Sequence, residues 1–174
     1  MRVAAVLTLV VMLSFTGALS QVASRGEGLN INLQNLTQQR SFSMKDSVLL
    51  DFEIINTGTV PVGVFAKLGM GYQGGVILHV LDGAGAEVQP PTLAHDSLDF
   101  NGMQDAKNYF ELQPNQFFGT RQKFAISELA SKPGHYKLLA EYHSPVDSKH
   151  AKVANFWGIE RKSVVSSEVE INVE

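Results

Sequence analysis

The sequence predicts an all-β domain, an antiparallel β-sandwich, and three features of the chain lead to this prediction. In one segment after another, apolar and polar residues alternate with a period of about two, the pattern of a strand with one buried and one solvated face. Turn residues separate these segments at intervals of about 8–12 residues, which gives about eight or nine short strands. The helical period of about 3.6 residues is almost absent. A closed barrel is the alternative architecture for the same pattern.

Length and composition suit one domain over residues 21–174. The chain has 174 residues, no cysteine and a formal net charge of -3, and neither a linker nor an internal repeat divides it. The lack of cysteine excludes disulfide frameworks, thiolate catalysis and cysteine-ligated zinc. Nucleic acid is not an expected partner, because nucleic-acid binders usually carry a clustered excess of basic residues that neutralises phosphates.

Residues 1–20 have the features of a signal peptide helix and are set apart from the fold. Arg2 supplies the positive charge, an apolar run follows as far as Thr16, and small residues precede the expected cleavage between Ser20 and Gln21. We therefore expect an exported protein, periplasmic or extracellular, and export without any disulfide favours a bacterial one. An uncleaved signal anchor is the alternative, although the run is shorter than the ~20 residues of a spanning helix.

The strongest alternation extends from Ser47 to Asn56 and predicts a long strand. A shorter strand from Leu29 to Leu33 precedes it, and the turn Asn56-Thr57-Gly58 leads to another from Val60 to Lys67. The residues expected to face the core, with Phe52 as a structural residue among them, are Val48, Leu50, Phe52 and Ile54.

Weaker strands joined by glycine-rich turns follow in the middle of the chain. The glycines between Gly69 and Gly75 precede a strand from Val76 to Leu81. The segment Asp82-Gly83-Ala84-Gly85 predicts a tight hairpin, because glycine adopts the positive φ of primed turns. The strand returns from Glu87 to Gln89. Periodicity then disappears from Thr92 to Asn108, which predicts a long irregular loop.

Alternation becomes strong again in the last third of the chain. Strands from Tyr109 to Leu112 and from Phe117 to Ile126 precede a helical turn that Ser127 is expected to cap and that runs to Lys132. A final strand from Val165 to Val173 closes the domain. In the long strand between them, the residues expected to face inward are Tyr136, Leu138, Ala140 and Tyr142.

A glycine, a tyrosine and an apolar residue stand at alternate positions in Gly134-His135-Tyr136-Lys137-Leu138. This spacing resembles the entry to strand F of immunoglobulin-like sandwiches, where a tyrosine closes a corner by hydrogen bonding to the backbone a few residues upstream. Leu138 stands where antibody domains carry a cysteine, so packing would replace the disulfide. The resemblance implies structural roles for Gly134, Tyr136 and Leu138.

Matching turn and core residues occur in the same order over a wider part of the chain. The segments that carry the match are Asn56 to Val62, Val80 to Val88, Leu112 to Asn115 and Pro133 to Tyr142. This pattern resembles exported bacterial immunoglobulin-like β-sandwich domains and, distantly, the intracellular proteinase inhibitor family of bacilli. The chain departs from the pattern at Asn115, where such domains often have glycine after proline. Because turn and core positions carry the match, it implies a fold rather than an activity.

The sequence shows no pattern for catalysis or for metal binding. Its five histidines include no pair at the spacing of a metal site, and the Gly-x-Ser-x-Gly elbow is missing. No phosphate-binding glycine loop precedes a helix, because the glycines from Gly69 to Gly75 lie between predicted strands. We therefore expect no enzyme, no cofactor and no bound metal. A glycosidase pair of carboxylates stays open as an alternative, since separations are not visible in a sequence. The strand carboxylates concerned are Asp51, Glu53, Glu111 and Glu141.

The connection from Ser144 to Ser163 is the candidate binding region, because connections have a median length of only about 4–6 residues. It places basic residues around two aromatic rings, and Trp and Arg are enriched where partners bind. The candidate partner-binding residues are Lys149, His150, Lys152, Phe156, Trp157 and Arg161. We expect this connection and the loop from Thr92 to Asn108 to form one recognition surface. In the alternative, the two aromatic rings close one end of the sandwich from inside.

These features favour a non-catalytic exported binding module that contacts a protein or a cell-envelope component through loops at one end of the sandwich. No membrane association is expected once the leader is removed. A peptidase inhibitor that inserts exposed loops into a protease cleft is the second hypothesis. A third is assembly, in which an outer strand adds to a partner's sheet.

Overall fold

The structure is a computed structural model that describes residues 28–66, 68–71, 75–88, 106–151 and 153–174. The predicted signal peptide, Lys152 and nearly all of the predicted loop from Thr92 to Asn108 lie outside the described residues. Export and cleavage therefore stay predictions.

The described part of the chain contains eleven strands, one 3-10 turn at Ala106–Asn108 and one helical turn. In chain order these are β1 (Asn30–Asn35), β2 (Ser41–Phe42), β3 (Ser47–Ile55), β4 (Val62–Phe65), β5 (Gly69–Met70), β6 (Gly75–Asp82), β7 (Tyr109–Leu112), β8 (Phe117–Ala125), α1 (Ile126–Leu129), β9 (Gly134–Tyr142), β10 (Val164–Val165) and β11 (Val169–Val173).

The first sheet has the order β1-β3-β8, with antiparallel pairing throughout. Its central strand β3 carries the alternation that the sequence shows most clearly, and Phe52 on it is fully buried, as predicted. The core-facing residues of β3 are all 0% exposed: Val48, Leu50, Phe52 and Ile54. The two-residue period of the sequence therefore predicted correctly which face of β3 is buried.

The second sheet has the order β2-β11-β9-β6-β5, and β10 adds to β9. Pairing in its centre is antiparallel, but β2 pairs with β11 and β5 pairs with β6 in parallel. The prediction of a wholly antiparallel sandwich is therefore wrong at these two places, and the predicted strand number is too low. Both errors have one cause, because strands of two residues are too short to show any alternation.

The two larger sheets pack face to face over one core. The edge strand β1 of the first sheet contacts β9, β10 and β11 of the second. Phe52 and Ile54 share one hydrophobic cluster with Leu138 and Ile171. The chain is thus an all-β sandwich, as the sequence predicts.

A third, two-stranded antiparallel sheet pairs β4 with β7, with Val62 opposite Leu112 and Phe65 opposite Tyr109. All four residues of β4 are buried. This ribbon is the part of the fold on which the long connection after β9 lies.

Tyr136 closes a corner at the start of β9. Its buried hydroxyl donates a 2.9 Å hydrogen bond to the carbonyl oxygen of Lys132, four residues upstream. This is the corner hydrogen bond that the resemblance implies. Leu138 is fully buried opposite Val80 of β6 and Val169 of β11, so apolar packing occupies the position of the disulfide. Gly134 begins the strand and pairs with Val173.

The predicted hairpin after β6 is confirmed. The Asp82 carboxylate accepts hydrogen bonds from the backbone N–H groups of Ala84 and Ala86, both at 2.9 Å. Gly85 has the positive φ of 81° that the turn requires. Glu87 then forms a bridge with Leu81, which brings the returning chain beside β6.

The helical turn differs from its prediction. It begins at Ile126 and ends at Leu129, so Ser127 lies inside it rather than at its cap. The N-cap residue is Ala125, and its backbone N–H donates to the Glu128 carboxylate at 2.8 Å. A glutamate at the third helical position can bond back to the backbone N–H of the N-cap residue in this way.

The conformation of Asn115 accounts for the departure from the resembled pattern at this position. It has a φ of 63° in the turn between β7 and β8, where the N–H of Gln116 donates to the carbonyl of Gln113 at 2.9 Å. Proline followed by a residue with positive φ is the arrangement of a type II turn. Glycine is the usual choice there, and asparagine is the other residue that tolerates this conformation.

Tyr136→Phe is expected to lower the free energy of unfolding by about 1 kcal/mol, because one buried hydrogen bond contributes about that much and the Lys132 carbonyl loses its donor. Tyr142→Phe is the matched control, since the Tyr142 hydroxyl is also buried but makes no hydrogen bond with the described residues. Urea unfolding of the three proteins measures the difference. Equal losses in both variants would contradict a stabilising corner.

Candidate functional site

The long connection between β9 and β10 is anchored on β4 by backbone pairing. The N–H of Gly63 donates to the Asn155 carbonyl at 3.1 Å, and the N–H of Trp157 donates to the Gly63 carbonyl at 2.8 Å. A β-carbon at position 63 would overlap Val153 Cγ2 and would lie 3.0 Å from the Ala154 carbonyl oxygen. Glycine at position 63 therefore permits the close approach of the two backbones.

The two aromatic residues of the connection point inward. Phe156 is 4% exposed, and its ring packs edge-on against Tyr109 with centroids 5.4 Å apart. Trp157 is also 4% exposed and belongs to the main core. Their assignment to a partner-binding surface is therefore corrected, because a buried ring cannot contact a partner in this conformation. Burial at one end of the sandwich was the alternative that the sequence left open.

Apolar residues beneath the connection form a second, smaller cluster. Phe65 and Tyr109 from the β4–β7 ribbon meet Val146 and Phe156 from the connection, and all four are buried. Satellite clusters of this kind typically lie under long loops. The connection is consequently held by apolar burial as well as by its hydrogen bonds to Gly63.

Arg161 remains at the surface in a defined position. Its guanidinium lies 5.0 Å from the centroid of the Trp157 ring and donates a 3.0 Å hydrogen bond to Asn155 Oδ1. A guanidinium within about 6 Å of a ring face is attracted by the ring's quadrupole. The charge is therefore oriented without being buried.

Lys149 and His150 are exposed in a turn of the same connection, where the N–H of His150 donates to the Asp147 carbonyl at 3.0 Å. The backbone next to this turn is tied to the anchored part, because the N–H of Ile159 donates to the Val146 carbonyl at 2.8 Å. Three of the six candidate residues thus lie on the surface of one connection. Lys152 lies outside the described residues.

Two turns lie beside the anchored segment, and buried Asn56 joins them. Its side-chain amide donates to the carbonyls of Val60 at 2.9 Å and Leu112 at 2.7 Å, and its side-chain oxygen accepts from the N–H of Gly58 at 2.9 Å. The amide of Asn155 reaches across to the Pro61 carbonyl at 2.7 Å. These contacts bring three segments together, which we name the loop end: residues 56–61, 113–117 and 153–161.

The loop end collects exposed apolar side chains. Val60 is 56% exposed, Phe117 is 65% exposed and Ile159 is 50% exposed. The described part of the chain has only one other large apolar residue that is exposed, Val165. Exposed apolar groups together with an arginine are features of protein-binding surfaces.

Sequence reasoning missed these apolar residues for a physical reason. An apolar residue next to a turn is equally compatible with burial and with exposure, and only its neighbours in space decide between them. The turn Asn56-Thr57-Gly58 was recognised, but its closeness to Asn155 depends on tertiary structure. The partner segment predicted from sequence, from Thr92 to Asn108, lies almost wholly outside the described residues.

A separate titratable cluster lies on the outer face of the second sheet. His79 Nδ1 lies 2.7 Å from a Glu87 carboxylate oxygen, and His79 Nε2 lies 2.9 Å from a carboxylate oxygen of Glu141. Carboxylates on both ring nitrogens favour the doubly protonated imidazolium. Partial burial of His79 opposes this charge, but the hydrogen bonds and charges of Glu87 and Glu141 outweigh it and raise the pKa of His79 above 6.5.

Glu141 is held ionised in the same cluster. Its partial burial favours the neutral acid, but hydrogen bonds from Ser163 and His79 prevail and lower the pKa of Glu141. The cluster therefore links β6, the hairpin return at Glu87, β9 and the end of the long connection.

Neither a metal site nor a membrane span is found in the described residues. Over these ranges no three histidine, aspartate or glutamate side chains are grouped so that they could hold a metal ion. The helices found there are too short or too polar to cross a bilayer.

Comparisons with known proteins do not assign the chain to a family. No protein-family model and no curated protein matches the chain. A CARDB domain of the PF1109 protein from Pyrococcus furiosus, in complex with di-metal ions, has a TM-score of 0.40 and 9% identity over 86% of this chain and 90% of that one. The solution structure of the same domain has a TM-score of 0.39 and 10% identity over 84% of this chain and 94% of that one.

A β-glucosidase from Erythrobacter marinus is also similar, with a TM-score of 0.40 and 13% identity over 84% of this chain and 15% of its own. TM-scores below 0.5 at such identities carry no argument about the function of this chain.

Gly63→Ala is expected to lower the free energy of unfolding by about 1–3 kcal/mol, because the new methyl group forces the connection away from β4. Since the chain has a single tryptophan, a shift of its fluorescence to longer wavelength should report the displaced connection. Gly83→Ala is the matched control, because a β-carbon there would only reach ordinary contact distance, 3.7 Å from the His135 carbonyl oxygen. Unchanged stability and fluorescence in Gly63→Ala would contradict the anchoring.

His79→Gln is expected to remove a stabilisation that depends on pH. Because the folded-state pKa of His79 is raised, its contribution is fully present below the ordinary value of 6.5 and is lost as the pH rises through the folded-state pKa. The free energy of unfolding of the wild type should therefore exceed that of the variant by more at pH 5.5 than at pH 8.5. The difference should be no more than about 1 kcal/mol, because the charged pair is partly exposed. Urea unfolding at both pH values, with exposed His150→Gln as control, measures this. An NMR titration that places the pKa of His79 at or below 6.5 would contradict it.

Proposed function

We propose that this protein is an exported immunoglobulin-like interaction module that binds a protein or a cell-envelope component through its loop end. The observation that carries the proposal is that Val60, Phe117 and Ile159, all exposed and apolar, lie on the three segments of the loop end, one of which also carries Arg161. Exposed apolar groups cost solvation free energy, and a partner that covers them recovers it.

Preorganisation supports the same proposal. The pairing of Gly63 with Asn155 and Trp157 and the side-chain bonds of Asn56 hold the three segments before any partner arrives. A surface ordered in advance loses less conformational entropy on binding. Function commonly resides on loops that a rigid scaffold positions in this way.

The immunoglobulin-like assignment is supported by the Tyr136 corner and by the place of β9 between β6 and β11. The exported location is supported by the leader features of residues 1–20 in the sequence. In this proposal the leader is removed near Ser20, and the domain acts in the periplasm or outside the cell without an enzymatic activity, a cofactor or a metal.

Phe117→Glu and Arg161→Glu are each expected to abolish capture of a partner, because a charge is placed on an apolar contact or a basic contact is reversed. The measurement is a pull-down from cell-envelope extract with the purified protein as bait. Val165→Glu is the matched control, since Val165 is the one large exposed apolar residue outside the loop end among the described residues. Phe117→Glu and Val165→Glu are surface changes and should alter stability by no more than about 0.5 kcal/mol. Arg161→Glu also removes the contact with the Trp157 ring and the hydrogen bond to Asn155, so it should lower the free energy of unfolding by about 1 kcal/mol.

Two results would contradict the proposal. One is a set of captured components that loop-end variants and Val165→Glu retain equally. The other is a wild-type bait that captures nothing beyond a bare matrix.

A peptidase inhibitor is the second candidate function, and the turn over residues 56–61 favours it. Val60 and Pro61 are exposed there, while Asn56 locks the turn from inside with bonds to Gly58 and Val60. An exposed loop held in one conformation could enter a protease cleft and resist cleavage. Stoichiometric loss of activity across a panel of proteases, reversed by Val60→Glu, would favour this candidate over the binding module.

A further inference from the structure

In the described part of the chain, strand β8 has one open edge. It is the last strand in the order β1-β3-β8, and the described residues provide no partner for it other than β3. It has nine residues, longer than the strand average of about 5–6. Gln122 lies on its core-facing side and is nevertheless exposed, so that side of the edge is uncovered as well.

The direction of its backbone groups follows from the pairing. At the two ends of the ladder, the N–H of Ile126 donates to the Asp46 carbonyl, and the N–H of Asn56 donates to the Gln116 carbonyl. The register between them is regular from Ser47 opposite Ala125 to Ile55 opposite Phe117. Because successive residues of a strand turn their backbone groups to opposite sides, even-numbered residues of β8 bond to β3 and odd-numbered ones point outward.

The backbone N–H and C=O groups that point away from β3 therefore belong to Gly119, Arg121 and Lys123. Ala125 ends this row, because its N–H is already bonded to the Glu128 carboxylate at 2.8 Å. Unpaired N–H and C=O groups in a row form a template for another strand. A β-carbon at Gly119 would overlap the Phe52 carbonyl oxygen, so glycine at this position permits the close approach of β8 to β3.

The positive charges on β8 determine which kind of added strand is favourable. The Arg121 side chain is 68% exposed although its guanidinium lies 3.3 Å from Asp51 on β3, and Lys123 is exposed. Opposite charges on neighbouring strands are favourable, and like charges directly opposite are unfavourable. A second copy that paired through its own β8 would oppose these cations, so the observations favour an acidic partner strand over self-association.

We propose that β8 accepts an extended acidic segment of another protein as an additional strand of the first sheet. The backbone of Gly119, Arg121 and Lys123 would supply the hydrogen bonds, and the two cations would select acidic residues at alternate positions of the segment. This surface is separate from the loop end except at Phe117, with which β8 begins. It therefore does not depend on the function proposed above.

Hydrogen exchange measured by NMR on the purified protein tests the proposal. The probe is a nine-residue peptide that alternates glutamate with valine. Without the probe, the amides of Thr120 and Gln122 should exchange slowly and those of Gly119, Arg121 and Lys123 quickly. With saturating probe, exchange at the three odd-numbered residues should slow by about tenfold or more.

Two control peptides separate the contributions. A peptide with lysine in place of glutamate should bind roughly three- to tenfold more weakly or worse, because it opposes both cations. A peptide N-methylated on the residues that would face β8 should not bind, because its donors are removed. Binding of this peptide as tight as that of the probe would overturn the added strand.

Two variants at position 123 sharpen the test. Lys123→Gln keeps the outward N–H and removes the charge, so affinity should fall only a few-fold. Lys123→Pro also removes the donor while leaving the bonds to β3, and it should abolish binding. Circular dichroism checks that both variants fold. If Lys123→Pro does not fold, the N-methylated peptide provides the test of the backbone hydrogen bonds. Arg161→Glu should leave probe binding unchanged, so failure of this proposal is distinguishable from failure at the loop end.

The proposal is overturned if the probe protects no odd-numbered amide of β8, or if the lysine peptide binds as well as the glutamate peptide. It is also overturned if protection of these amides rises with protein concentration in the absence of any peptide, because the occupant would then be a second copy of the chain.

Discussion

The close backbone contact at Gly63 is the constraint on which the surface of this protein depends. It allows the long connection after β9 to pair with β4, and this pairing directs Phe156 and Trp157 into the interior. Arg161 can then lie over the tryptophan ring. A connection without this anchor would gain little apolar burial and would present its charges from a disordered backbone.

The polar groups of the sandwich divide into those that hold the fold and those that remain available. Asn56 is fully buried, and three hydrogen bonds satisfy its side chain, so it organises the turns around it. His79 links strands on an outer face through two carboxylates. The backbone edge of β8 has no such partner in the described part of the chain, and natural proteins commonly protect open edges with charges like those of Arg121 and Lys123. The same charges that oppose self-pairing favour an acidic strand.

The accuracy of prediction followed the length and regularity of each segment. The faces of β3 and β9 were predicted correctly because a period of two extends over nine residues in each. The strands β2, β5 and β10 were missed because two residues carry no period. Ser127 was assigned as a cap from its residue type, although Glu128 was able to bond back to Ala125 instead. For the candidate site, the connection itself was predicted, whereas the apolar residues that share its surface were not.

By itself the sequence determined that strands form, which faces of β3 and β9 are buried, and where the tight turns fall. These properties depend on neighbours one to four residues apart, so a linear pattern contains them. Only the tertiary structure decided that Trp157 lies inside while Phe117 lies outside, and that Asn155 meets Pro61. Burial and contact between distant segments depend on which surfaces meet after the sheets pack, and an apolar residue in the sequence is compatible with either place.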